Sequence, residues 1–192
     1  MADDLAAAHV VRVLRDSAAA HERMTGSVEP VVQAARAMVA ALKAGRTVFA
    51  FGNGGSAADA QHFTAELVGR YEQDRRGWPA VALTTDTSAL TAIGNDYGFE
   101  RVFARQIESL GRPGDVALGI STSGNSPNVL RALETANACG LVTIALTGRG
   151  GEAGTIAAHH VSVAEERTSR VQEVHATLLH VMCELVEMEL SA

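Results

Sequence analysis

Five short apolar runs punctuate this 192-residue chain, and a helical pattern separates each from the next. They fall at 47–51, 79–83, 115–120, 141–146 and 160–163. Continuous apolar strands interleaved with helices predict a parallel sheet covered on both faces. The intervening helices are expected at 56–70, around 87–93 and 99–110, at 126–139, near 152–158, and as a long final helix at 168–190. Two Ala-rich amphipathic helices, at about 4–24 and 28–44, precede the first strand. Thr25-Gly26-Ser27 separates them and Gly45 stops the second.

Length suits one α/β domain with extra helices. Hydrophobic residues are 47% and charged residues 20%, enough for a sizeable core, while aromatics at 4% leave that core to Ala, Val and Leu. The net charge is −6 with no basic stripe, which argues against nucleic-acid binding. It does not argue against a phosphorylated metabolite, because backbone N–H groups and hydroxyls hold an anion without formal charge. No apolar run reaches the ~18–20 residues of a membrane span. The acidic start, Met1-Ala2-Asp3-Asp4, lacks a signal-peptide layout, so a cytoplasmic protein is expected. Cys139 and Cys183 are far apart with no CxxC, and read as reduced, small core residues rather than a disulfide.

In an open α/β sheet, ligands bind at the carboxyl ends of the strands. Four loops rich in Gly, Ser and Thr converge there. After the first strand, Asn53-Gly54-Gly55-Ser56 makes a tight turn into a helix, whose free N–H groups and dipole form an anion site. The same helix carries His62 and Glu66, four residues apart and within ~40° of each other. They are either an ordinary surface pair worth ~0.2–0.5 kcal/mol or part of the site. The loop Ser121-Thr122-Ser123-Gly124-Asn125-Ser126 is the best phosphate candidate, with Asn125 or Ser126 able to cap the helix that Pro127 begins. Neither loop is a Walker A or a GxGxxG motif. A small phosphate ester is therefore favoured over a nucleotide.

The last helix supplies Gln172, Glu173, His175 and His180. Gln172 and His180 lie within ~80° of each other, two turns apart, whereas His175 lies ~140° round from His180. His180 interrupts the apolar run 178–183, where an imidazole costs desolvation unless something binds it. His9, His21, His159 and His160 read as surface or packing residues. Whether this helix shares a metal with His62 and Glu66 is open on the residues alone. Imidazole and carboxylate suit zinc, and Gln would be an uncommon ligand.

Four segments, Gly52 to Phe63, Thr91 to Gly98, Gly119 to Asn128 and Val171 to His175, with their intervening spacings, carry a resemblance that covers essentially the whole chain. Together they resemble the sugar isomerase (SIS) domain family, and within it the phosphoheptose isomerases. The resemblance implies a three-layer α/β/α sandwich with a five-stranded parallel sheet, one SIS domain over 1–192 with 1–44 as a helical extension. It implies a homotetramer with active sites between subunits, and one zinc per subunit. It further implies conversion of sedoheptulose 7-phosphate to D-glycero-D-manno-heptose 7-phosphate through an enediol, the first step of activated heptose biosynthesis. By motif, the metal ligands would be His62, Glu66, Gln172 and His180, and the acid–base pair Glu66 and His180. Substrate contacts would be Asn53, Gly54, Gly55, Glu66, Asn95, Asp96, Ser121, Thr122, Ser123, Ser126 and Gln172. Two alternatives stand beside it: an isomerase of another phosphosugar, and a non-enzymatic relative that binds the bacterial replication initiator. That relative replaces several active-site residues, whereas Glu66, Ser123 and His180 are all present here. Some family members have an aspartate where this chain has Ser169; others lack it, and Ser169 is given no role.

Overall fold

The structure, a computed structural model, describes residues 2–190. Eight helices and five strands follow one another as α1 (Ala2–Met24), α2 (Glu29–Lys43), β1 (Val48–Gly52), α3 (Gly55–Val68), β2 (Ala80–Ala82), α4 (Thr87–Tyr97), a 3₁₀ turn (Phe99–Arg101), α5 (Ala104–Leu110), β3 (Val116–Ser121), α6 (Pro127–Ala138), β4 (Val142–Thr147), α7 (Ala153–Ile156), β5 (His159–Ser162) and α8 (Thr168–Leu190). The five strands form one parallel sheet in the order β2-β1-β3-β4-β5. Every residue of β1 and β3 is buried, which is why both read as unbroken apolar runs.

Helices cover both faces. Val31, Met38, Phe63, Leu67, Leu178 and Met182 place α2, α3 and α8 over one face. Val102, Phe103, Ile107, Val129 and Leu133 place α5, α6 and the turn before them over the other. Ala20 and Met24 of α1 join the first core. The buried Arg170 guanidinium of α8 holds α1 in place by donating to the Val13 carbonyl at 2.6 Å.

The expected elements are all present, with strands displaced by about one residue. The helix expected over 99–110 is broken into a 3₁₀ turn and α5. Val102 and Phe103 at the break are both buried. Cys139 also departs from expectation: it ends α6 half-buried instead of filling the core. Cys183 is buried, and both thiols are free.

The strand order places the site. From β1 the chain steps to β2 on one side and then to β3 on the other. Its direction of winding therefore reverses between β1 and β3, and a crevice opens at their carboxyl ends. Gly52 pairs with Ile120 there, so the 53–55 and 121–126 loops leave the sheet side by side.

Candidate functional site

One half of the site lies where α3 meets α8. Gly54 precedes α3 with φ +55 and offers no side-chain cap; the Ser56 and Ala57 N–H groups turn back onto the Asn53 and Gly54 carbonyls, which closes the loop tightly against the helix start. A Cβ on Gly55 would overlap the side-chain amide of Gln172, so glycine lets α8 bring that amide against the loop. About two turns further, His62 Nε2 lies 3.0 Å from Glu66 Oε1. The His180 ring stands edge-on to the His62 ring, with centroids 5.0 Å apart and planes at 79°. Ligand atoms of His62, Glu66 and His180 all lie within 4.8 Å of one another, and the three form a group able to hold a metal ion. Two imidazoles and a carboxylate are a donor set suited to zinc, and Gln172 stands beside the same helix junction.

The neighbours of this cluster are tuned by burial. Burial pushes the Cys183 thiol up to about 12, with the charge of Glu66 adding to the effect, so Cys183 is an inert packing group. Burial likewise pushes Tyr71 up to about 12, helped by its hydrogen bond to Glu184. Tyr71 therefore stays a neutral donor to Glu184 Oε1 at 3.1 Å while its ring lies 5.9 Å from His180. Asp59 is raised by burial, opposed by His62, and its Oδ2 has no partner among the described residues.

The other half is the 121–126 loop. Ser121 Oγ lies 3.0 Å from Ser126 Oγ and 3.4 Å from Ser123 Oγ. It also accepts the Gly124 N–H at 3.2 Å. Three hydroxyls thus converge on one point at the mouth of the crevice. The expected side-chain cap on α6 is absent: Ser126 occupies the N-cap position but turns its hydroxyl back to Ser121. Asn125 instead accepts the Glu152 N–H at 2.9 Å, tying this loop to the one after β4. The first turn of α6 is therefore left without a side-chain acceptor, as a phosphate-binding helix end requires.

The chain at 53–55 joins the halves. Gly55 packs on Gln172, and Asn53 exchanges two 2.8 Å hydrogen bonds with Asn128 at the start of α6. Across an open cleft from Asn53 and Ser126 stand the exposed rings of Tyr97 and Phe99. Asn95 and Asp96 are not brought to either half. They lie exposed at the end of α4, and Asn95 Nδ2 donates to Asp96 Oδ1 at 2.8 Å.

Sequence reasoning missed several residues. The amide pair of Asn53 and Asn128 spans 75 positions, so no local pattern marks it. The sequence singles out His180, yet His175 is the wholly buried one, and neither of its ring nitrogens has a hydrogen-bond partner among the described residues. Burial holds its imidazole below the usual 6.5, with the Thr147 backbone opposing the shift. Its position ~140° round from His180 signals a different environment, which here is the interior.

The SIS domain family model matches residues 14–148. The phosphoheptose isomerase of Aquifex aeolicus (strain VF5) is 59% identical over 160 residues, covering 83% of this chain and 84% of the relative. That of Solidesulfovibrio magneticus is 52% identical over 179 residues, covering 93% and 88%. Among solved structures, a phosphoheptose isomerase from Francisella tularensis superimposes with a TM-score of 0.90 at 34% identity, covering 95% of this chain and 98% of the other. The phosphoheptose isomerase from Neisseria gonorrhoeae gives 0.83 at 47% identity, covering 98% and 100%.

Proposed function

The chain belongs to the SIS domain family, and on that footing we propose that it is a phosphoheptose isomerase acting on sedoheptulose 7-phosphate. The observation that carries this reading is the meeting of His62, Glu66 and His180 beside a glycine turn and a three-hydroxyl loop. In this proposal the whole chain forms one SIS domain, with the two N-terminal helices as its extension.

Ketose–aldose exchange needs a proton taken from C1, a proton placed on C2, and proton exchange at the two oxygens. In this account the 7-phosphate rests on Ser121, Thr122, Ser123, Ser126 and the start of α6. Asn53, Gly54 and Gly55 line the sugar, and Gln172 closes the wall opposite Gly55. Asn95 and Asp96 reach a sugar only if a neighbouring subunit contributes them. Glu66 and His180 act as the proton-transfer pair: one takes the C1 proton to give the enediol, and the other serves O1 and O2 before a proton returns to C2. No electron acceptor is needed, because the oxidation at C1 equals the reduction at C2. His62, Glu66, Gln172 and His180 would hold zinc. When bound, the ion would supply Lewis acidity at the carbonyl oxygen.

A homotetramer is part of the proposal. Leu5, Val10 and Leu14 on α1, and Met188 on α8, are more than half exposed, as surfaces that meet another copy are. The cytoplasm is proposed as its compartment: both cysteines are free and the substrate is a phosphorylated sugar. No described helix is long and apolar enough to cross a membrane. The test is an assay of the purified protein on several phosphosugars, supplied with zinc and again after chelation. Selective turnover of sedoheptulose 7-phosphate, lost on chelation and restored by zinc, is the expected result. Equal rates on another phosphosugar would reassign the substrate, and no turnover by folded protein would remove the enzyme reading.

A further inference from the structure

The connection from α3 to β2, residues 69–79, has no regular secondary structure but is firmly anchored. Its anchor is Glu187 on α8, whose carboxylate is buried. Glu187 Oε2 accepts the N–H groups of Glu72 and Gln73, each at 3.1 Å, and Oε1 accepts Arg75 Nε at 3.0 Å. Arg75 then donates to the last carbonyls of α3: Nη1 to Leu67 at 3.1 Å and Nη2 to Glu66 at 3.0 Å. Its guanidinium also stacks 3.4 Å from the centre of the Trp78 ring. A buried cation thus caps the C-terminal end of the helix bearing His62 and Glu66, where the dipole favours positive charge. A buried anion on the helix bearing His180 holds that cation. The strap fixes the two halves of the cluster to one another.

Tyr71 lies within the strapped segment. Its ring lies 31° from the plane of His180, with centroids 5.9 Å apart, and its hydroxyl donates to Glu184, four residues beyond His180 on α8. His62 meets the same imidazole edge-on. His180 is therefore flanked by Tyr71 and by His62, which narrows the set of orientations open to its ring.

We propose that Tyr71, held in place by the Glu187–Arg75 strap, is a positioning residue that fixes the ring of His180 for proton transfer. The proposal rests on the isomerase reading of His180 for its kinetic consequence, but not for its structural one. Packing of the ring carries the effect, and the hydroxyl is secondary.

The test compares Tyr71→Ala and Tyr71→Phe by steady-state kinetics on sedoheptulose 7-phosphate and by NMR of the 15N-labelled histidine rings in metal-free protein. His180 is assigned from the signal lost in His180→Gln. Tyr71→Ala is expected to lower kcat about 10- to 100-fold with KM changed less than about threefold, and to shift or broaden the His180 ring signal. Tyr71→Phe, which keeps the ring, is expected to restore both to near the parent values. An unchanged His180 signal in Tyr71→Ala would overturn the proposal, as would a Phe variant as impaired as the Ala variant. If the parent protein turns over no phosphosugar, the isomerase reading fails, and the His180 signal still decides the positioning role by itself. Should Tyr71→Ala not fold, Tyr71→Leu, which keeps an apolar side chain without a flat ring, takes its place with the same expected outcomes.

Discussion

Glu66 and His180 come from positions 114 apart in the chain and meet only because α3 and α8 lie side by side on one face of the sheet. If they share the proton transfers, Glu66→Gln and His180→Gln each remove a group that general acid–base catalysis makes worth roughly 10²–10⁴-fold. Each variant is expected to lose that much kcat while keeping a parent-like circular dichroism spectrum; rates within about threefold of the parent would take that residue out of the mechanism. Gly55 makes a subtler prediction. Gly55→Ala puts a methyl where the Gln172 amide sits. The amide must move, so kcat/KM is expected to fall about tenfold or more with little change in melting temperature. His175 acts on stability instead. Burial keeps it neutral in the fold, while in the unfolded chain it charges near the usual 6.5. Below that value the unfolded state takes up the extra proton, so this contribution is complete above about pH 6.5 and is lost as the pH falls toward the lowered folded value. His160, also held low by burial, pulls the same way. Urea midpoints measured between about pH 5 and 7.5 are expected to drop on the acid side, and less steeply in His175→Leu.

At the scale of elements, the strap between α3 and α8 is a polar device inside an apolar layer. Burial alone would raise the Glu187 carboxyl, but the N–H groups of Gln73 and Glu72 and the Arg75 guanidinium together hold it low. Removing one partner leaves the other charged and unpaired where side chains are 9% and 3% exposed. Glu187→Ala is expected to cost about 3–5 kcal/mol in denaturant unfolding. A cost below about 1 kcal/mol would mean that water reaches the pair. This strap also marks the limit of what sequence discloses. The sheet, its flanking helices and the ligand-bearing loops were legible because each is written locally: apolar runs at β1 and β3, glycine and hydroxyl clusters just beyond them. His62 and Glu66 were legible because one helix turn separates them. Glu187 and Arg75 lie 112 residues apart, and their pairing leaves no periodic trace. Ser126 shows a different failure. A serine before Pro127 reads as a helix cap, yet Ser121 across the loop competes for its hydroxyl and wins it. Local preference gave way to a partner that only the folded crevice supplies.

At the scale of the whole molecule, the separation of Asn95 and Asp96 from both halves of the crevice, together with the exposed apolar side chains of α1, fits a site completed by a second copy. Light scattering is expected to give four times the 20.1 kDa chain mass. Leu5→Asp with Leu14→Asp, which charge only the α1 surface, are expected to lower that mass and to lower turnover with it. A fully active monomer would confine the site to one chain. The kinetic expectations all depend on the exchange of a carbon-bound proton between C1 and C2 of a phosphorylated ketose. The most direct measurement is conversion of sedoheptulose 7-phosphate in D₂O by the zinc-supplied protein, with the product read by NMR. The account predicts D-glycero-D-manno-heptose 7-phosphate carrying solvent deuterium at C2. Folded protein that forms no heptose 7-phosphate would contradict it.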